Sequence, residues 1–229
     1  MKTYELVLRR VEADLAAGRL RPGDRLPGER ALAAEFEVSR PSVREAIRVL
    51  EAMGIVRTAV GSGPDAGAVI VTEPSAPLTA ILRLHLATRH LPMGDIVRTR
   101  VLLESWAVRE AAGAAESLDL GPATALLDAM DDTDLAPERF HRLDAEFHVA
   151  LAALAGNALV STIMGSLREA IHGYVLEAAA QLPGWDRVAD GLRREHRAVL
   201  AAVAAGEEDR AAELVTAHIE GFYRTARVG

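Results

Sequence analysis

Apolar residues recur at intervals of three and four through most of this chain, the spacing of helices with one buried side. Over residues 3–17 the stripe is Tyr4, Leu6, Val7, Val11 and Leu15, and Gly18 ends it. Residues 20–27 read as a turn-rich connection. Two shorter stripes follow. The first holds Ala31, Leu32, Ala34 and Phe36; the second opens at Ser39 and aligns Val43, Ala46, Ile47 and Leu50. Only Glu37 and Val38 lie between them, which is a tight turn. After Gly54 the pattern changes. Residues 55–58 and 68–71 read as two short strands around the glycine-rich loop at 61–67.

Two helices joined by a tight turn and followed by a strand pair predict a winged helix-turn-helix. The side of the second helix opposite its apolar stripe carries Arg40, Ser42, Arg44 and Arg48, a basic and hydroxyl-bearing surface of the kind that enters a major groove. Residues 72–77 hold two prolines among polar residues and read as a linker. From residue 78 onward the strand signal almost disappears. Breaks at 90–92, 118–122, 135–137, 156–157, 183–184 and 206 leave six or seven helices, as in an antiparallel bundle. The expected chain is therefore mostly α. It has an N-terminal winged helix-turn-helix with a small β-wing (1–73), a linker (74–77) and an all-α antiparallel helical bundle (78–229).

Composition sets bounds on this picture. Of 229 residues half are apolar, enough for two modest cores. The absence of cysteine removes disulfide and thiolate-metal chemistry and fits a reducing compartment. The first residues lead into an amphipathic helix rather than a signal peptide, and no apolar run approaches the roughly 20 residues that span a bilayer. A cytoplasmic chain without membrane contact is expected. The net charge of −7 is unevenly placed: residues 1–75 hold 11 basic and 11 acidic residues, the remainder 15 and 22. A neutral module with a local basic face is compatible with double-stranded DNA as partner.

The bundle carries the candidate chemistry. A helix over about 137–155 places Asp144 and His148 four residues apart, one above the other, flanked by Leu143, Phe147 and Leu151. Later helices place His196 and His218 among apolar neighbours. Two readings stay open on spacing alone. Each histidine is a hydrogen-bonded core residue, or one carboxylate and three imidazoles converge on a divalent ion such as Zn, Ni, Mn or Fe, with positions left for a ligand oxygen. Arg100 likewise has two readings, a surface pair with Glu104 four residues on, or a pocket guanidinium gripping a carboxylate.

Two segments carry a family resemblance. Gly23-Asp24-Arg25-Leu26-Pro27-Gly28-Glu29-Arg30-Ala31-Leu32-Ala33, with Val38-Ser39-Arg40-Pro41-Ser42-Val43-Arg44-Glu45-Ala46-Ile47-Arg48-Val49-Leu50, resembles the GntR-family winged helix over about residues 5–72. The helical remainder, about 78–222, resembles the FCD effector domain of the FadR-like subfamily. Its metal-binding branch carries Asp-x-x-x-His and two distant histidines, here Asp144, His148, His196 and His218. The resemblance implies DNA contacts from Arg30, Ser39, Arg40, Ser42 and Arg44 and from the wing tip Gly61, Ser62 and Gly63. Arg40 and Arg44 would read base edges, and Ser39 and Ser42 would reach phosphates. It also implies that Arg100 faces an effector. The wing loop is longer than the common family form and lacks its aromatic residue.

These signals combine into an expected homodimeric, ligand-responsive repressor and not an enzyme, binding operator DNA, a divalent metal ion and a small organic-acid effector. Two other readings are a metal-dependent enzyme fused to a DNA-binding module and a bundle that only dimerises.

Overall fold

The computed structural model describes residues 2–59, 67–71, 75–88, 90–182 and 184–226. The chain divides into two compact units, Met1–Pro77 and Leu78–Gly229.

In the first unit, helix α1 (Thr3–Ala16) starts with a capping box in which the Lys2 amide donates to Glu5 Oε2 at 2.9 Å. Its buried stripe is Val7 and Val11, four residues apart; Leu6, expected inward, is exposed because its neighbour Val7 takes the core-facing position. Helix α2 (Glu29–Glu35) buries Leu32 and Ala33 and hands Phe36 to the same core. Ala31 and Ala34 point outward, a one-position rotation from the expected stripe. The chain then turns at Glu37, a non-glycine residue at φ 54°. Helix α3 (Arg40–Ala52) follows at once, with Ser39 as N-cap, its Oγ accepting from the Ser42 amide at 3.3 Å. Pro41 in the first turn costs no hydrogen bond, since that amide has no helical partner.

Strands β1 (Val56–Ala59) and β2 (Gly67–Ile70) pair antiparallel, from Val56 opposite Ile70 to Ala59 opposite Gly67. The segment before α2 lines the other edge of β2: the Leu26 amide donates to Ala68 O and the Ile70 amide to Asp24 O, both at 2.8 Å. This ties the wing to the helices, over one core of Val7, Val11, Leu32, Phe36, Val43 and Val56. The wing-tip residues Gly61, Ser62 and Gly63 lie outside the described residues.

Ser75, Ala76 and Pro77 form the first turn of α4 (Ser75–Ala87). The second unit continues with α5 (Met93–Gly113), a single 3-10 turn (Ala115–Ser117), α6 (Gly121–Met130), α7 (Pro137–Leu154), α8 (Ala158–Ala180), α9 (Trp185–Ala204) and α10 (Glu208–Thr225). The breaks fall where glycine or proline ends the apolar period; Gly184 and Gly206, both at φ 72°, adopt a backbone that side chains disfavour. Helix α10 packs along α5 and α9, and α7 packs against α8, α5 and α6. Phe140, Phe147, Leu127, Ile171, Val203 and Val215 centre the core. No helix among the described residues is long and apolar enough to cross a membrane.

Candidate functional site

The outward face of α3 and the start of α2 carry the residues expected to meet DNA. Arg30, Ser39, Arg40 and Arg44 are exposed and Ser42 is half-buried. The two serines are already engaged locally: Ser39 caps α3, and its Oγ lies 2.9 Å from Ser42 Oγ. Arg44 is held from the side by Glu29 of α2, donating through Nε to Oε1 at 3.0 Å and through Nη2 to Oε2 at 2.8 Å. This fork-to-fork pair fixes the guanidinium plane. The Arg44 bond holds the Glu29 carboxyl below the usual range.

The bundle interior is built differently. Helix α7 presents Asp144 and His148 one turn apart, α9 presents His196 and α10 presents His218, all buried. Their donor atoms converge. His148 Nε2 and His196 Nε2 each lie 3.1 Å from His218 Nε2. Asp144 Oδ1 lies 3.0 Å from His196 Nε2 and 3.7 Å from His148 Nε2. Four donors bound about 2.0–2.2 Å from one ion sit about 3.0–3.5 Å apart, so the spacing fits a metal centre.

The surrounding carboxylates sharpen the fit. His148 Nδ1 donates to Glu104 Oε2, and His218 Nδ1 donates to Glu195 Oε2 at 2.8 Å. A carboxylate that takes the Nδ1 proton leaves Nε2 with its lone pair, which orients a histidine as a metal ligand. Two such lone pairs then face each other at 3.1 Å, with a carboxylate oxygen beside them. A single proton can bridge one of these contacts; a divalent cation satisfies all four donors together.

The electrostatics lean the same way. Burial pushes His196 and His218 down from the ordinary imidazole value, which keeps them in the neutral, ligating form. Burial alone would raise the Asp144 carboxyl, but the Arg168 guanidinium and the bonds to His148 and His196 together outweigh it and hold Asp144 well below the carboxylate range.

Arg100 belongs to this centre and not to the surface. It is 2% exposed, and donates through Nε to Glu104 Oε1 at 2.8 Å and through Nη1 to the Tyr223 hydroxyl at 2.9 Å. Burial would raise the Glu104 carboxyl; Arg100 and then His148 reverse that, leaving it well below its ordinary value. Arg168 of α8 closes the other side through its bond to Asp144. Arg100, His141, Asp144, Arg168, His218 and Tyr223 line a small cavity of about 20 Å³.

Sequence reasoning missed three of these side chains, Arg168, Glu195 and Tyr223, and placed Glu104 only beside Arg100. Arg168 had a readable signal, a lone charge on the apolar stripe of Met164, Leu167 and Ile171. Glu195 sits beside His196, and adjacent helix positions face apart, yet its reach brings it to His218 on α10. The contacts of Glu104 with His148 and of Tyr223 with Arg100 span 44 and 123 residues of sequence, for which no local pattern exists.

Comparison with known proteins places this architecture. The FCD domain matches residues 95–221, and the group described as bacterial regulatory proteins, gntR family, matches residues 3–64. The transcriptional regulator LutR of Bacillus subtilis is 30% identical over 203 residues, covering 88% of this chain and 91% of that protein. The transcriptional repressor NanR of Cronobacter sakazakii is 28% identical over 231 residues, covering 98% and 85%. The solved structure of a Streptococcus agalactiae GntR shares the fold, with a TM-score of 0.73 at 23% identity over 97% of this chain and 99% of that one. The chain belongs to the GntR family, as a DNA-binding transcriptional regulator that joins a winged helix-turn-helix to an FCD domain.

Proposed function

We propose that this regulator is a homodimeric repressor whose bundle binds a divalent metal ion and, beside it, a small carboxylate effector. The observation that carries the reading is the set of facing imidazole nitrogens at 3.1 Å whose far sides are held by Glu104 and Glu195. Asp144, His148, His196 and His218 would hold the ion. A bound ion supplies a positive centre with room for a ligand oxygen. Arg100, already fixed by Glu104 and Tyr223, would present the rest of its fork to the acid's carboxylate.

At the other unit, Arg40 and Arg44 would read base edges, and Arg30, Ser39 and Ser42 would meet phosphate and base near the groove. The wing tip, Gly61, Ser62 and Gly63, would approach the backbone. Arg44 must exchange the Glu29 carboxylate for a guanine edge, whose two acceptors match its fork. On the bundle surface Leu102 and Trp106 are exposed one turn apart on α5 and offer apolar area for a second copy. Two heads would bind a two-fold-related operator. The acid would switch operator affinity only through differing affinity for the two arrangements of the heads, on the usual scale of about 1–3 kcal/mol. Such a regulator works in the cytoplasm.

Elemental analysis of the full chain tests the centre. Supplied with divalent ions, the protein should retain one ion per chain, and the His148→Ala, His196→Ala double variant should retain far less. No metal in either form sinks the reading.

A further inference from the structure

The donor set and the groups bonded to it are dry, with one exception. The side chains of Asp144, His148, His196 and His218, and those of Glu104 and Arg168, are each no more than 10% exposed. The Glu195 side chain is 51% exposed. It stands on α9 beside His196 and reaches across to α10, where its Oε2 accepts from His218 Nδ1 at 2.8 Å.

The His218 ring spans the distance from that wet carboxylate to the interior. Its Nδ1 faces Glu195. Its Nε2, on the opposite side of the ring, lies 3.1 Å from both His148 Nε2 and His196 Nε2. The other two rings have no such outlet. His148 is bonded inward to the buried Glu104, and His196 packs on Phe147 with ring centroids 4.9 Å apart. The cavity side carries the guanidiniums of Arg100 and Arg168, a poor approach for a cation. Glu195 offers a carboxylate instead.

We propose that metal ions enter and leave the centre past Glu195, with His218 as the moving ligand and Glu195 as the positioning residue that latches it. With their hydrogen bond broken, the His218 ring turns about its side-chain bonds and presents Nε2 to solvent. With the bond formed, Nε2 faces the other three donors. The carboxylate also draws a cation to the same spot. The latch acts on the empty and the filled centre alike, because Nδ1 keeps its proton in both. It therefore governs how fast an ion exchanges, and not how tightly it is held. This inference rests on the proposed metal centre.

Stopped-flow measurement of zinc uptake by the metal-free full chain, and of zinc release into excess chromogenic chelator, tests it with Glu195→Asp. Aspartate keeps the charge and is one methylene too short to hold His218. Both rate constants should rise about tenfold, the low end of what a hydrogen bond to a charged group contributes. Their ratio, the dissociation constant, should stay within about threefold of the wild type. Glu195→Gln keeps the length and loses the charge, and its uptake should depend less on ionic strength. Helical signal checks the fold, and Glu195→Ala replaces the Asp variant should that one not fold. Unchanged rates overturn the latch. So does faster release at unchanged uptake with affinity weakened in proportion, which is what mere orientation of the ring gives. Undiminished salt dependence in Glu195→Gln overturns the entry route. If the wild type takes up no zinc, the metal centre itself falls.

Discussion

Two of the chain's arginine–carboxylate pairs, Arg44–Glu29 and Arg100–Glu104, have similar bond lengths and opposite settings. Arg44 and Glu29 meet at 2.8 and 3.0 Å with the Arg44 side chain half exposed. Arg100 and Glu104 meet at 2.8 Å with both side chains within 3% of full burial. Water screens the first pair, so separating it costs little and the guanidinium is available to another partner. The second pair has no water to fall back on, and either partner alone would be a stranded buried charge. Geometry alone does not tell a reading head from a structural keel; the surrounding dielectric does.

The comparison can be broken most forcefully at its buried end. Glu104→Ala strips the partner from Arg100 and the orienting acceptor from His148, and should destabilise the bundle by about 3–5 kcal/mol, read by chemical denaturation. Next comes chelation of the proposed metal ion. Binding at a free concentration 100-fold above the dissociation constant adds about 2.7 kcal/mol. Removing the ion should therefore lower the thermal transition of the bundle and leave that of the winged helix in place. A scan with and without chelator shows whether one transition moves or both do.

At the exposed end the expected effects are smaller and fall on binding. Arg44→Ala should weaken operator binding by about 1–3 kcal/mol and relax preference at one base position, with little change in fold stability. Competition between operator variants in a mobility-shift assay reads both. The smallest effect belongs to the helix-turn-helix corner. Glu37 holds φ 54°, so Glu37→Gly should raise stability by about 0.5–1 kcal/mol, seen as a modest rise in the winged-helix melting temperature.

The exposed unit was the more legible in sequence, and for a physical reason. Its elements are short, consecutive and punctuated: Ser39 caps, Glu37 turns, Gly54 stops, and β1 pairs with β2 only a few residues later. Periodicity there erred by a single position, giving Ala31 and Ala34 the place that Ala33 takes. In the bundle the helix breaks were equally plain, because glycine and proline mark them. The Asp144–His148 pair could be seen as one helical face, but its meeting with His196 and His218 depends on how helices pack, which a one-dimensional pattern does not encode. The Arg100–Glu104 spacing was visible and its burial was not. Four-residue spacing looks the same on a wet face as on a dry one.

Helix α10 follows every other described element in the chain and supplies both His218 and Tyr223. Until it docks along α5, the donor set has one nitrogen too few and the Arg100 fork lacks its phenol. The winged helix, by contrast, has every one of its elements within the first 71 residues. Synthesis therefore yields a winged helix whose described elements all precede α10, and a buried donor set that α10 completes. A nascent or prematurely terminated chain would carry the first without the second.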